Sequence, residues 1–441
     1  MVKSLTKGNP ALLILFFSIP LFIGNIFQQA YSLADIYIVG RFLGKNALAA
    51  VGSTGSINLL FFYFVYSFSF GASLIISRFF GAGNMAGVRK SFAVNIVICA
   101  CLAIILTGLS VLCVRRLLEF MNTPEEILDD AYSYIVIVLC GMPFLLLFNM
   151  LSNVIRAVGD SRSPLYFLVI SCVLNIVLDV VFIRNFLLGV RGLAYATLIS
   201  QLAAGLLCIV YIVKKLPVLH LTREDWKFSP TDIMEHLKLA LPIGFQGSII
   251  SIGFIVVSFF LNRLGVAAVA AFTAGSRIDS TAAVLLQSVG TAMATYTAQN
   301  YGANQPERIR RGILQVSIIA CAYSVIIAIL FFFFGRSLSA QFLQGASPGT
   351  LDMSHSYLII NSSFYILLSM LFIFRSSLQG MGDSLSPTIA GIMELVMRVF
   401  AAIVFSRIAG FTGLCFAGPL AWFGSLIPLV ISYKFKMKKI M

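Results

Sequence analysis

Long apolar runs alternate with short polar breaks along almost the whole chain. The runs cover residues 11–39, 47–77, 92–114, 131–155, 164–183 and 193–213. A polar stretch at 214–235 follows, and six more runs cover 239–262, 267–298, 313–334, 355–379, 387–409 and 412–433. An α-helix needs roughly 20 apolar residues to cross a bilayer, so this pattern predicts twelve transmembrane helices. The runs are continuous rather than alternating and far exceed ten residues, which excludes a β-barrel. The expected fold is an all-α polytopic membrane protein with two six-helix lobes, 1–213 and 236–441, joined by the linker 214–235.

The two halves repeat. A displacement of 221 residues matches Gly44 with Gly265, Arg89 with Arg310, Gly189 with Gly410 and Gly192-Leu193 with Gly413-Leu414. A displacement of 223 matches Gly159-Asp160-Ser161 with Gly382-Asp383-Ser384 and Pro164 with Pro387, and Pro20 matches Pro242 at 222. Six spans per half is an even number, so the repeats share one orientation. Parallel repeats of this kind are typical of secondary transporters.

Composition narrows the class. Of 441 residues 59% are apolar and 11% charged, against about 25% charged in a soluble domain; a soluble enzyme is excluded. The net charge of +14 belongs to loops rather than to nucleic acid. With both termini on one side, that side and the 214–235 linker carry 19 basic residues and the opposite side 9, which places both termini in the cytoplasm. Lys3 and Lys7 precede an apolar run that reaches Val39, too long for a secretory signal core. The eight cysteines form no CxxC pair, the three histidines form no HxxxH motif, and no GxxxxGK[ST] loop occurs. Disulfides, a metal site built on histidine and ATP hydrolysis are therefore not expected.

Four acids lie at membrane depth: Asp35, Asp179, Asp279 and Glu394. Each costs roughly 2.5–3.5 kcal/mol at a helix centre, so each needs a partner or a task. Glu394 and Arg398 share a helix face at i, i+4 and form a charge pair, structural or gating. Asp279 lies early in its span, two residues from Arg277, and is expected in a neutralised or interfacial role. Asp35 and Asp179 have no basic residue at their depth. Gln28, Tyr31 and Asp35 fall on one stripe of the first span, and Asn175 and Asp179 on one face of the fifth. Thr197 on the sixth lies within reach. Two carboxylates, an amide and a hydroxyl suit Na⁺ or a bound proton, since two carboxylates in one apolar site cannot both stay charged cheaply. Phe61, Phe62, Tyr63, Phe64 and Tyr66 are candidates for a pocket lining.

The run Pro20…Gln28-Gln29-Ala30-Tyr31-Ser32-Leu33-Ala34-Asp35…Val39-Gly40…Leu43-Gly44 resembles the first span of multidrug and toxic compound extrusion (MATE) transporters. Arg156-Ala157-Val158-Gly159-Asp160…Pro164 and Gln379-Gly380-Met381-Gly382-Asp383…Pro387 are similar to that family's paired Gly-Asp loops, and Gln299-Asn300-Tyr301-Gly302-Ala303 to its loop after span 8. The resemblance implies export of organic, often cationic, compounds across the cell membrane in exchange for H⁺ or Na⁺, by a monomer without cofactor or catalysis. The DinF-like type places its cation site on the residues matching Asp35, Asn175, Asp179 and Thr197, and a bend at the proline matching Pro20; Gln28 and Tyr31, on the stripe of Asp35, are expected in the substrate pocket. The NorM-like type uses acids on spans 7 and 10; here span 7, Pro242 to Asn262, has none, and span 10 has none after Asp352. A flippase of lipid-linked precursors shares the architecture but is expected to carry several cationic residues in its cavity, where this chain offers mainly Arg277 and Arg398.

Overall fold

The computed structural model describes residues 4–121, 123–343 and 345–441; Lys3 lies outside them. The described residues form fifteen α-helices and no strand: α1 (Pro10–Phe42), α2 (Gly44–Ser53), α3 (Gly55–Gly81), α4 (Met85–Phe120), α5 (Glu125–Cys140), α6 (Met142–Ala157), α7 (Arg162–Arg184), α8 (Val190–Lys215), α9 (Pro230–Asn262), α10 (Val266–Gly302), α11 (Pro306–Phe342), α12 (Pro348–Ser363), α13 (Tyr365–Gly380), α14 (Leu385–Cys415) and α15 (Ala417–Ile440). Eight single helices are long and apolar enough to cross a membrane, and the bent pairs α5–α6 and α12–α13 bring the number to ten. The remaining two predicted spans coincide with α10, rich in Ala, Ser and Thr, and α15, which ends in lysines.

The bends have local causes. α5 and α6 meet at Gly141 with an angle of 42°. Pro143 has no N–H to return to the carbonyl of Leu139, and the Thr107 hydroxyl donates to that carbonyl instead, at 3.5 Å. α12 and α13 meet at Phe364 with an angle of 49°. There the hydroxyls of Ser362 and Ser363 donate to the Ile359 carbonyl at 3.3 and 2.7 Å, back-bonding of a kind that bends helices. The continuous apolar runs 131–155 and 355–379 are thus two-segment spans.

The duplication read from the sequence extends to the backbone. α5 and α12, and likewise α6 and α13, have bounds displaced by 223 residues. The matched glycines take matched left-handed conformations: φ 82° and 92° at Gly44 and Gly265, 91° and 80° at Gly159 and Gly382, 58° and 55° at Gly189 and Gly410. A side chain is strained there, which is why glycine stands at both copies. In each Gly-Asp loop the aspartate caps the helix that follows. Asp160 accepts the N–H of Arg162 and Ser163 at 3.0 and 3.1 Å and the Ser163 hydroxyl at 2.7 Å. Asp383 accepts the Ser386 N–H at 3.0 Å and its hydroxyl at 2.7 Å.

Contacts divide the chain into two units, one of residues 23–244 and the other of 5–22 with 245–441. The linker packs in the first unit as two short 3₁₀ turns, Pro217–Leu219 and Arg223–Trp226. Thr222 and Asp225 form a reciprocal cap, with the Thr222 N–H and hydroxyl both donating to Asp225 Oδ2 at 2.7 Å. Arg89 pairs with Asp225 at 3.3 Å and Lys90 with Asp232 at 2.8 Å, fastening the linker to the start of α4. Burial alone would push the Asp225 carboxyl up; the two Thr222 donors and the Arg89 guanidinium outweigh it and hold the group below the usual carboxylate range.

Candidate functional site

In the first unit α1 brings Gln28, Tyr31 and Asp35 to the wall of a cavity of about 470 Å³, which α7 lines with Asn175 and α8 with Thr197. Asn175 and Asp179 stand one helical turn apart on α7 and are buried, Asp179 fully. The Asn175 amide is the hinge of the arrangement. With its nitrogen toward the acids it donates to Asp179 Oδ2 at 2.9 Å and Asp35 Oδ1 at 3.2 Å, while its oxygen accepts the Thr197 N–H at 3.1 Å. That orientation satisfies two carboxylates with one amide. Tyr31 Oη lies 3.3 Å from Thr197 Oγ1, whose hydroxyl also donates to the Leu193 carbonyl at 3.1 Å. Asp179 Oδ1 is buried with no hydrogen-bond partner among the described residues. A bare carboxylate oxygen at that depth is costly, and a proton or a small cation satisfies it.

All four residues expected at the ion site are thereby adjacent, and Gln28 and Tyr31 line the same cavity. Sequence reasoning missed Tyr134 on α5, which also lines it and lies within electrostatic reach of both acids. Of the five aromatic candidates on α3, Phe62 lines this cavity, whereas Phe61 and Phe64 pack against the hydrophobic core.

In the second unit Glu394 and Arg398 pair at 2.8 Å. The pair is in fact a triad. Arg375 on α13 reaches the other Glu394 oxygen at 2.6 Å and donates to Ser425 Oγ at 3.2 Å. The three side chains are buried, at 7%, 5% and 4% exposure for Arg375, Glu394 and Arg398, and Arg398 lies 4.5 Å from the Phe254 ring centroid. Arg375 is one of the 19 basic residues that the charge count places on the side of the termini, yet it is buried here. Its position inside the run 355–379 was the signal that it sits within a span. Asp279 does not pair with its near neighbour Arg277, which is exposed; its Oδ1 accepts the Tyr365 hydroxyl at 2.6 Å and its Oδ2 the Tyr357 hydroxyl at 3.4 Å. Among the described residues no cluster of three His, Cys, Asp or Glu side chains is arranged to hold a metal ion.

Comparison with known proteins now bears on this geometry. The family model MatE matches residues 20–181 and 242–425. The chain is 28% identical over 434 residues to the probable multidrug resistance protein YoeA of Bacillus subtilis, covering 96% of this chain and 93% of that protein. It is 25% identical over 408 residues to an FAD transporter of Shewanella oneidensis, covering 91% and 90%. Its fold superposes with a TM-score of 0.91 on an outward-facing multidrug resistance MATE transporter of the MOP superfamily, at 25% identity over 99% of this chain and 98% of that one. With 346 of its 441 residues inside the family model, in two blocks that fall one in each repeat, the chain belongs to the MatE family of membrane transporters.

Proposed function

We propose that this transporter is a secondary exporter of organic, often cationic, compounds, driven by H⁺ or Na⁺ entering through the Asp35–Asn175–Asp179–Thr197 site. The observation that carries the reading is the Asn175 amide bridging two carboxylates that have no cationic partner among the described residues. The relatives that bear multidrug names support the substrate class. The pairing of an acid on the first span with an Asn–Asp pair on the fifth supports the DinF-like type. The basic excess on one side supports cytoplasmic termini in the cell membrane, and the lobes 1–213 and 236–441 are taken as the two moving halves.

The chemistry follows from charge. With both carboxylates ionised, the first unit's cavity attracts an organic cation. A proton or Na⁺ arriving from outside removes one of the two negative charges and satisfies Asp179 Oδ1. The attraction for the organic cation then falls, and the cation leaves. The ion drives export only if it binds the two conformations with different affinity. Pro20 leaves the Phe16 carbonyl without its i+4 donor, which makes α1 pliable at the point where its conformation is proposed to change. One ion moving through 100 mV supplies about 2.3 kcal/mol, enough for a gradient of roughly 40-fold at 1.4 kcal/mol per decade.

The test is ethidium efflux from cells carrying Asp35→Asn or Asp179→Asn at unchanged membrane abundance. Each variant is expected to lose at least tenfold in initial rate. Normal efflux by both removes the proposed site. Efflux by the unsubstituted protein in liposomes under a Na⁺ gradient alone, then a pH gradient alone, identifies the ion.

A further inference from the structure

We propose that Asp279, held between Tyr357 and Tyr365, is a second proton-binding site, situated in the second unit and independent of the first. It lies on α10, on neither of the spans where NorM-like transporters place their acids. Asp279 sits 13 residues into that helix, about 20 Å along it at 1.5 Å per residue, within the apolar run 267–298. A carboxylate at that depth needs a task.

Its surroundings are built for a proton rather than for a permanent ion pair. From α13, Tyr365, fully buried, donates to Oδ1 at 2.6 Å and also lies 3.1 Å from the Asp279 carbonyl. From α12, the Tyr357 hydroxyl stands at a looser 3.4 Å from Oδ2. From α11, Tyr323 directs its hydroxyl to the Ala282 carbonyl at 2.9 Å, away from the acid. From α14, Arg398 and Cys415 are felt through Tyr357, but no ion pair joins Asp279 to Arg398 or to Arg277. Oδ1 is therefore occupied and Oδ2 is the oxygen with room to be protonated. The proton comes from water and leaves to water; Tyr365 keeps its donation in both states.

Two further observations support the assignment. At the 223-residue displacement that relates α5 to α12, Tyr357 is the repeat counterpart of Tyr134, the tyrosine that faces Asp35 and Asp179 in the first unit. Each half has kept a tyrosine beside an acid, although the acid comes from a different helix. The charge count is the second. Arg375 and Arg398 are balanced by Glu394 and Asp279 only while Asp279 is ionised. A proton on Oδ2 leaves these four groups with one net positive charge, which disfavours an organic cation nearby. Binding of the proton here therefore opposes cation binding just as it does in the first unit, and its use in transport rests on the exporter reading above.

Infrared spectra of the purified full chain, taken as differences between pH values, read the C=O band of protonated carboxyl groups directly and need no transport substrate. One titrating band is expected to vanish in Asp279→Asn, to return shifted in Asp279→Glu, and to persist in the double variant Asp35→Asn/Asp179→Asn. An unchanged set of titrating bands in Asp279→Asn overturns the proposal. Should that variant fail to fold, Tyr365→Phe decides: the band must shift, and an unmoved band overturns the proposal equally. In liposomes, the pH dependence of ethidium export by Asp279→Asn is expected to lose the steepness of one proton, and an unaltered steepness refutes the coupling role. Absence of ethidium export by the unsubstituted protein would sink the exporter reading while leaving the infrared result to decide on Asp279.

Discussion

Replacing Glu394 by Gln removes the single charge that holds two buried guanidinium groups. Its two oxygens serve different partners, Arg375 at 2.6 Å and Arg398 at 2.8 Å. The substitution is nearly isosteric, so packing is kept and the electrostatic loss is isolated. Unit charges about 4 Å apart attract by about 4 kcal/mol at an effective dielectric of about 20. Against this stands the desolvation already spent on all three groups. Breaking a buried pair by deleting one partner costs about 3–5 kcal/mol, because the survivor is left uncompensated. Here two survivors also repel each other, so the upper half of that range is expected. For a unit of 150–250 residues a loss of 1 kcal/mol lowers Tm by about 2–4 °C, which puts the expected fall at about 8 °C or more. The chain has two tryptophans. Trp422 stacks edge-on with Tyr365 in the second unit at 6.3 Å between ring centroids, and Trp226 lies in the linker. Intrinsic fluorescence of Trp226→Phe therefore follows the second unit alone during thermal unfolding in detergent. A Glu394→Gln change within about 1 kcal/mol of the parent would refute the triad as a stabilising contact. The triple replacement Arg375→Met/Glu394→Leu/Arg398→Met is expected to be neutral or more stable, since apolar groups of similar volume often replace a buried ionic cluster at no loss.

Gly380→Ala is expected to destabilise the second unit by about 1–3 kcal/mol, because a Cβ there would lie 2.5 Å from the Ala294 carbonyl oxygen and 3.0 Å from the Ala298 nitrogen, both backbone atoms that cannot move aside. Gly108→Ala on α4 meets nothing within 4 Å and should stabilise by about 0.5–1 kcal/mol; Tm values measured in parallel check both. The linker should respond to acid. Asp225 has its carboxyl depressed in the folded protein, so its contribution is fully present above the unfolded value near pH 4 and is lost as pH falls through the lower folded value. Hydrogen exchange over residues 216–229 is expected to stay slow from pH 8 to pH 5 and to quicken, relative to the intrinsic rate, only below about pH 4; in Asp225→Ala it should be fast throughout. Asn175→Leu keeps the volume but removes the bridging amide, and is expected to abolish ion-driven ethidium export while leaving the fold intact by Tm.

Much of the architecture was legible because hydropathy and repetition are both written along the chain. The matched glycines could be paired by displacement alone, and their left-handed φ values follow from the residue type. The breaks at Gly141 and Phe364 were not legible from hydropathy, which does not register where a carbonyl loses its donor; Pro143 was the available sign at the first. The Asp35–Asn175–Asp179 cluster was readable because helical spacing puts each residue on a defined face, and only the meeting of α1 with α7 had to be supplied by the fold. Asp279 shows the limit. Its partners, Tyr357 and Tyr365, are 78 and 86 residues away, and no local pattern announces them. Arg375 lay in plain sight inside an apolar run, and was hidden only by counting it with the loop charges.

The second half of the chain copies the backbone of the first but not its chemistry. At the 223-residue displacement Asn175 is answered by Arg398 and Asp179 by Ala402, so an amide bridging two acids is replaced by a guanidinium resting on one. An amide offers both a donor and an acceptor and carries no charge, whereas a guanidinium donates only and is charged. The ion site of the first half therefore cannot have been retained at the same place in the second. An acid that still changes charge there had to come from another helix, and Asp279 on α10 is the one that meets the repeated tyrosine position. If duplication left each half with one titratable centre, then exchanging them is instructive. Ala402→Asp beside Arg398 adds a charge and volume at a fully buried position and should lower the Tm of the second unit, but it should add no titrating carboxyl band; a new titrating band would show that the arginine does not fix the charge as argued.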